Sequence, residues 1–77
     1  MESKEIKLIL LGNRVKFFRN QLNISQEKLA QICGFDRTYI SLVERGKRNI
    51  SFINILKLAK GLNITPSKLL EDLKYDN

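Results

Sequence analysis

Leu8, Leu11, Val15, Phe18 and Leu22 recur at intervals of three and four, so they line one face of a helix. That helix runs from about residue 4 to residue 21, with Ser3 placed to cap it. Gly12 lies inside it and weakens it by about 1 kcal/mol relative to alanine. Asn13 follows, so a break at this point is the main risk to one long helix. A second helix spans about 26–33. Ser25 is its N-cap, Glu27 suits the positive end of the helix dipole, and Gly34 supplies a left-handed stop. Leu29, Ala30 and Cys33 share its inner face. A third helix spans about 37–45, capped by Asp36 and ended by Gly46, with Ile40 and Val43 inward. The polar loop Lys47-Arg48-Asn49 follows. Ser51 caps a fourth helix, about 52–61, whose stripe of Ile55, Leu58, Ala59 and Leu62 has the spacing of a core face. Thr65 caps a fifth, about 66–73, with Pro66 at the first position and Leu69, Leu70 and Leu73 inward. Tyr75 to Asn77 is expected to fray.

No segment alternates with the period of two that marks a half-buried strand. The expected fold is therefore all-α, a compact five-helix arrangement forming one domain over 1–77. Only Gly34, Phe35 and Asp36 separate the second helix from the third. Two short helices joined by a three-residue turn containing glycine carry the helix-turn-helix signature, here at about 26–45.

Composition narrows the chemistry. The chain has 77 residues, enough for one small domain. It is 43% apolar and 29% charged, a globular balance. With no His and one Cys, it lacks the roughly four ligands of a structural zinc site and the base of a His-dependent triad, and it can form no internal disulfide. No metal, cofactor, small-molecule ligand or enzymatic activity is expected. Fourteen Lys and Arg against 8 Asp and Glu give a net charge of +6. That excess points to a polyanion, nucleic acid first and an anionic membrane surface second. The longest apolar run, Leu8 to Leu11, is far short of the ~20 residues that span a bilayer. Glu2 and Glu5 among the early lysines do not suit a signal peptide, and a cytoplasmic location is expected.

The run Ser25-Gln26-Glu27-Lys28-Leu29-Ala30, then Gly34, Tyr39-Ile40-Ser41 and Glu44-Arg45-Gly46-Lys47-Arg48, resembles the phage-repressor-like helix-turn-helix family over about 15–70. That resemblance implies the five-helix λ-repressor-like fold and a dimer on operator DNA. Asp36-Arg37-Thr38-Tyr39-Ile40-Ser41, with Glu44-Arg45 and Arg48-Asn49, looks more narrowly like the controller proteins of bacterial restriction–modification systems. It implies a homodimeric transcription regulator without an enzymatic step, with RNA polymerase as a further candidate partner. A phage-type repressor, an antitoxin of the same fold, and an interaction adaptor without DNA binding are the alternatives. The resemblance also implies a structural ion pair between Arg19 and Glu44.

The residues support a DNA reading independently. Arg37, Thr38, Ser41 and Arg45 lie opposite Ile40 and Val43 on the third helix, and Leu42 lies at the edge of their face. Arg37 can pair with guanine O6 and N7, Thr38 and Ser41 offer hydroxyls, and Leu42 can meet a thymine methyl. Gln26 opens the second helix, where backbone N–H groups and a side-chain amide suit a phosphate. Arg45, Lys47, Arg48, Asn49 and Ser51 make a donor-rich loop for further phosphates, with a base or the minor groove as an alternative for Arg48. Tyr39 either lends its hydroxyl to a phosphate or serves core packing. Phe52, Ile53 and Leu56 fall off the core stripe of the fourth helix, and Leu70 and Leu73 can join them. An apolar remainder of this kind on so small a chain marks a dimer interface. Ile6, Leu10 and Phe17 form a second off-stripe set, which either extends that interface or packs under the fifth helix.

Overall fold

The computed structural model describes the backbone of residues 2–73 and the side chains of residues 6–73. Tyr75 to Asn77 lie outside the described residues. The helices are α1 (Glu2–Gln21), α2 (Gln26–Cys33), α3 (Arg37–Glu44), α4 (Phe52–Gly61) and α5 (Pro66–Leu69). No strand occurs among the described residues. The α1 helix begins upstream of Ser3, so Ser3 is not its cap. It passes through Gly12 unbroken, and the reason is packing. A Cβ at Gly12 would run into the carbonyl oxygens of Val43 and Glu44. Glycine therefore weakens the isolated helix yet lets α1 lie backbone to backbone against α3.

Four helices end in the same way. Asn23, Gly34, Gly46 and Asn63 take positive φ of 56°, 79°, 73° and 62°. The next residue then donates its N–H five residues back: Ile24 to Arg19, Phe35 to Ala30, Lys47 to Leu42 and Ile64 to Ala59. This is the Schellman closure, which satisfies carbonyls left over at a helix end. At the other ends, the side chains of Ser25, Ser51 and Thr65 accept from the N–H groups of Lys28, Asn54 and Lys68. Asp36 stands at the N-cap position of α3, but its side chain makes no capping bond. The Tyr39 N–H that it would take donates instead to the Asp36 backbone carbonyl, at 3.1 Å.

The core joins Leu11 and Val15 of α1, Leu29 and Ala30 of α2, Ile40 and Val43 of α3, and Leu58 and Ala59 of α4. Leu62, Leu69 and the loop residue Ile50 complete it. The first helix packs on α3 and α5, the second on α3 and α4, and the fourth on α5. Leu22 lies past the end of α1 and is exposed rather than inward. The fifth helix stops at Leu69 and does not reach residue 73. Arg14 takes up the carbonyls at this end: its Nε and Nη2 donate to those of Leu69 and Lys68 at 2.7 and 2.6 Å. A continuing helix would need those carbonyls for the N–H groups of Leu73 and Asp72. Leu70 consequently faces solvent, and only Leu73 of the two remains half-buried against the core. Cys33 is half-buried between α2 and α4, its thiol 3.5 Å from the Lys57 carbonyl. Burial pushes that thiol's pKa up and keeps it protonated. No helix among the described residues is long and apolar enough to cross a membrane.

Candidate nucleic-acid interface

A three-residue turn, Gly34 to Asp36, joins α2 to α3. It closes because Gly34 takes the left-handed conformation, which costs glycine nothing. Ile40 and Val43 are sealed, at 0% and 1% exposure. That burial fixes the rotation of α3 and turns Arg37 and Thr38, both exposed, outward from its N-terminal end. Arg37 carries no hydrogen bond or ion pair among the described residues. Ser41 and Leu42 are half-buried beside it. The N-terminal end of such a helix is the part that comes nearest to base edges in a major groove.

Behind this face lies a buried polar network. Arg19 Nε donates to Glu44 Oε2 at 2.6 Å, and Nη2 donates to Oε1 at 3.0 Å. The remaining arm, Nη1, donates to the Ile24 carbonyl at 2.8 Å. Both residues are buried, and the paired geometry is the strong form of an Arg–carboxylate contact. Gln26 joins them, its Nε2 donating to Glu44 Oε1 at 3.0 Å. One cluster therefore ties α1, the loop into α2, the first residue of α2 and the end of α3. Sequence reading placed Gln26 against a phosphate. In the structure one amide hydrogen is held by Glu44, and the second hydrogen remains for an outside acceptor.

Beyond α3 the loop bends back. Arg45 caps the helix, its Nε 3.4 Å from the Ser41 carbonyl. Lys47, Arg48, Asn49 and Ser51 are exposed, while Ile50 is buried and pins the loop to the core. The Arg48 guanidinium lies 5.0 Å above the Tyr39 ring, a cation–π stacking geometry. Tyr39 packs against Phe35 at 4.7 Å between ring centroids. Its hydroxyl accepts from Asn54 Nδ2 at 3.0 Å. Tyr39 is thus half-buried, its ring packed and its hydroxyl at the edge of the basic loop. The Ser51 hydroxyl is occupied as an acceptor by the Asn54 N–H at 3.2 Å and retains its own proton.

Phe52 and Ile53 are exposed, at 70% and 57%, and Leu56 is half-buried. They fall outside the stripe of Ile55 and Leu58 that packs into the core. Leu70 and Leu73 sit after α5, a separate element. Ile6, Leu10 and Phe17 are exposed along α1.

Two participants escape a reading of the sequence. Asn54 carries no local signal, because its partner Tyr39 lies 15 residues earlier. Arg14 is 55 residues from the carbonyl it binds.

The helix-turn-helix family profile matches residues 15–69 of the chain. The control protein C.BamHI of Bacillus amyloliquefaciens is 48% identical over 64 residues, 82% of this chain and 79% of that protein. The control protein C.SmaI of Serratia marcescens is 47% identical over 70 residues, 91% of this chain and 79% of that protein. Among solved structures, the restriction–modification controller protein C.AhdI from Aeromonas hydrophila superposes with a TM-score of 0.82 at 46% identity, over 84% of this chain and 94% of that one.

Proposed function

The chain belongs to the helix-turn-helix family, and on that footing we propose that it is a sequence-specific DNA-binding transcription regulator, the controller protein of a restriction–modification system. The observation that carries the reading is the outward-facing start of α3. Arg37 and Thr38 stand exposed on a helix whose rotation the core fixes, in a chain 46–48% identical to control proteins of this kind.

The mechanism is binding without a reaction step. The third helix enters the major groove, where the Arg37 fork pairs with guanine O6 and N7. Thr38 and Ser41 add hydroxyls, and Leu42 meets a thymine methyl. Gln26, Tyr39, Arg45, Lys47, Arg48, Asn49 and Ser51 contact phosphates on either side, which sets register and orientation. Phe52, Ile53 and Leu56 pair two copies about a two-fold axis, joined by Leu70 and Leu73. The two recognition helices then lie about 34 Å apart, one DNA turn, on an inverted repeat.

The test is selection of duplexes by the protein from a random-sequence library, followed by affinity at rising salt. An inverted repeat should emerge. Log affinity should fall with log salt by roughly 0.9 per phosphate neutralised. No selected sequence, or an affinity indifferent to salt, would overturn the reading.

A further inference from the structure

We propose that Asn54 is a positioning residue for DNA binding: it holds the Tyr39 hydroxyl so that its proton points out toward a phosphate. The proposal rests on the DNA reading above and adds to it a residue on a helix that does not itself enter the groove.

A phenol hydroxyl has one proton and oxygen lone pairs that accept. Its O–H lies near the ring plane in one of two orientations. Asn54 Nδ2 donates to this oxygen at 3.0 Å. An amide nitrogen that donates cannot accept, so the side of the oxygen facing α4 offers nothing to the hydroxyl proton. The proton is left the other orientation, away from α4. The ring itself is packed, with Phe35 at 4.7 Å between centroids and the Arg48 guanidinium 5.0 Å above it.

Asn54 is itself held firmly. Its backbone N–H donates to the Ser51 hydroxyl at 3.2 Å in the cap of α4. Ile55 next to it packs on the core, and Leu58 one turn on is fully buried. A donor fixed in this way pre-orients its partner, so DNA does not have to select one hydroxyl orientation from two. Arg48 works in the same direction, because a cation over the ring draws an anionic phosphate to that edge. The result is a physical link from α4, which carries Phe52 and Ile53, to a side chain of the recognition helix.

The experiment is a double-mutant cycle on affinity for the duplex that the wild-type protein selects. Tyr39→Phe removes the donor and should weaken binding about tenfold, the usual size for a hydrogen bond to a charged group. Asn54→Asp turns the donor into an acceptor that captures the hydroxyl proton. In the wild-type background it should cost about tenfold or more. In the Tyr39→Phe background it should cost at least about threefold less, since only the repulsion between the new charge and DNA remains in both. Asn54→Ala, which adds no charge, should weaken wild type by a few-fold and Tyr39→Phe by less than about twofold. Melting temperature and sedimentation of the Asn54 variants should match wild type.

Equal losses in the two backgrounds would overturn the proposal while leaving the DNA reading intact. So would a loss that tracks a lower melting temperature or a dissociated dimer. Failure of the wild-type protein to select any duplex would overturn both.

Discussion

The α1–α3 junction and the outer face of α4 are built to opposite ends. At the junction everything is closed within one chain. Gly12 lets two backbones touch, Val15 and Val43 are sealed, and the charges of Arg19 and Glu44 are matched in a bidentate pair that Gln26 completes. On α4, Leu58 and Ala59 are buried to 0% and 1%, while Phe52 and Ile53 of the same helix remain 70% and 57% exposed. The contrast separates two tasks. The orientation of α3 is fixed inside a protomer, whereas in the dimer proposed above the distance between two copies of α3 is set by the contact that covers α4. On that proposal, a reading head that is rigid alone, with spacing set by assembly, answers to protein concentration.

The largest expected effect breaks the closed side. Glu44→Ala leaves Arg19 charged and buried without its partner, which costs about 3–5 kcal/mol. For a domain of this size that lowers the melting temperature by more than about 10 °C. Glu27, exposed in the first turn of α2, is the control, and Glu27→Ala should move it little. Thermal unfolding of the two variants decides. Equal shifts would mean that the pair contributes nothing beyond a surface contact.

Next comes the open side. Phe52→Asp places a charge where two copies are proposed to meet, and should weaken self-association by about 2 kcal/mol or more, the range of a central aromatic anchor. Because Phe52 is exposed in the protomer, the melting temperature measured where the protein is monomeric should hardly change. Sedimentation across micromolar concentrations is the readout. A variant that still dimerises as wild type would remove α4 from the interface.

How much of this contrast the sequence carried depends on range. The helices, the caps at Ser25, Ser51 and Thr65 and the turn at Gly34 follow from neighbours within about five residues, and they were legible, whereas Ser3 was wrongly expected to cap α1. So was the core stripe of α4. The end of α5 was not, because Arg14 closes it from far along the chain. Asp36 was misjudged as a capping side chain, since the competing backbone bond to its own carbonyl cannot be seen in residue type. Asn23 and Asn63 were overlooked as left-handed stops, although asparagine tolerates that conformation better than most residues. The outward residues Arg37 and Thr38 were readable from the spacing of Ile40 and Val43 alone. Their polar support, Gln26 with Glu44 and Asn54 with Tyr39, spans 18 and 15 residues and appears only once the helices are packed.

Glycine offers a sharper test of the junction. Helix propensity favours alanine at position 12 by about 1 kcal/mol. The structure says the reverse, because the added methyl would strike the Val43 and Glu44 carbonyls, which cannot swing aside as a flexible side chain can. Gly12→Ala should therefore destabilise by about 1–3 kcal/mol, and it should weaken DNA binding as well, since α3 must shift. Alanine at Gly34 meets nothing within 4 Å and pays only for its φ of +79°. A Gly12→Ala protein as stable as wild type would show that α1 and α3 are not in backbone contact.

The smallest change is confined to one base position and should leave both regions as they are. Arg37 follows the cap position of α3, is exposed, and makes no contact among the described residues that a core would miss. Arg37→Ala should keep the wild-type melting temperature and self-association. It should cost about 1–3 kcal/mol for each guanine contacted, at one position in each half-site. Lysine at the same place should restore little of this, because an ammonium cannot reproduce the fork that spans O6 and N7. Lys47→Ala is the counterpart on the loop, and should weaken every duplex alike while reducing the salt slope by about one per protomer. Both variants are titrated against a panel of single-base changes in the selected duplex. A flat loss across the panel for Arg37→Ala would make that residue a phosphate contact and move base reading elsewhere on α3.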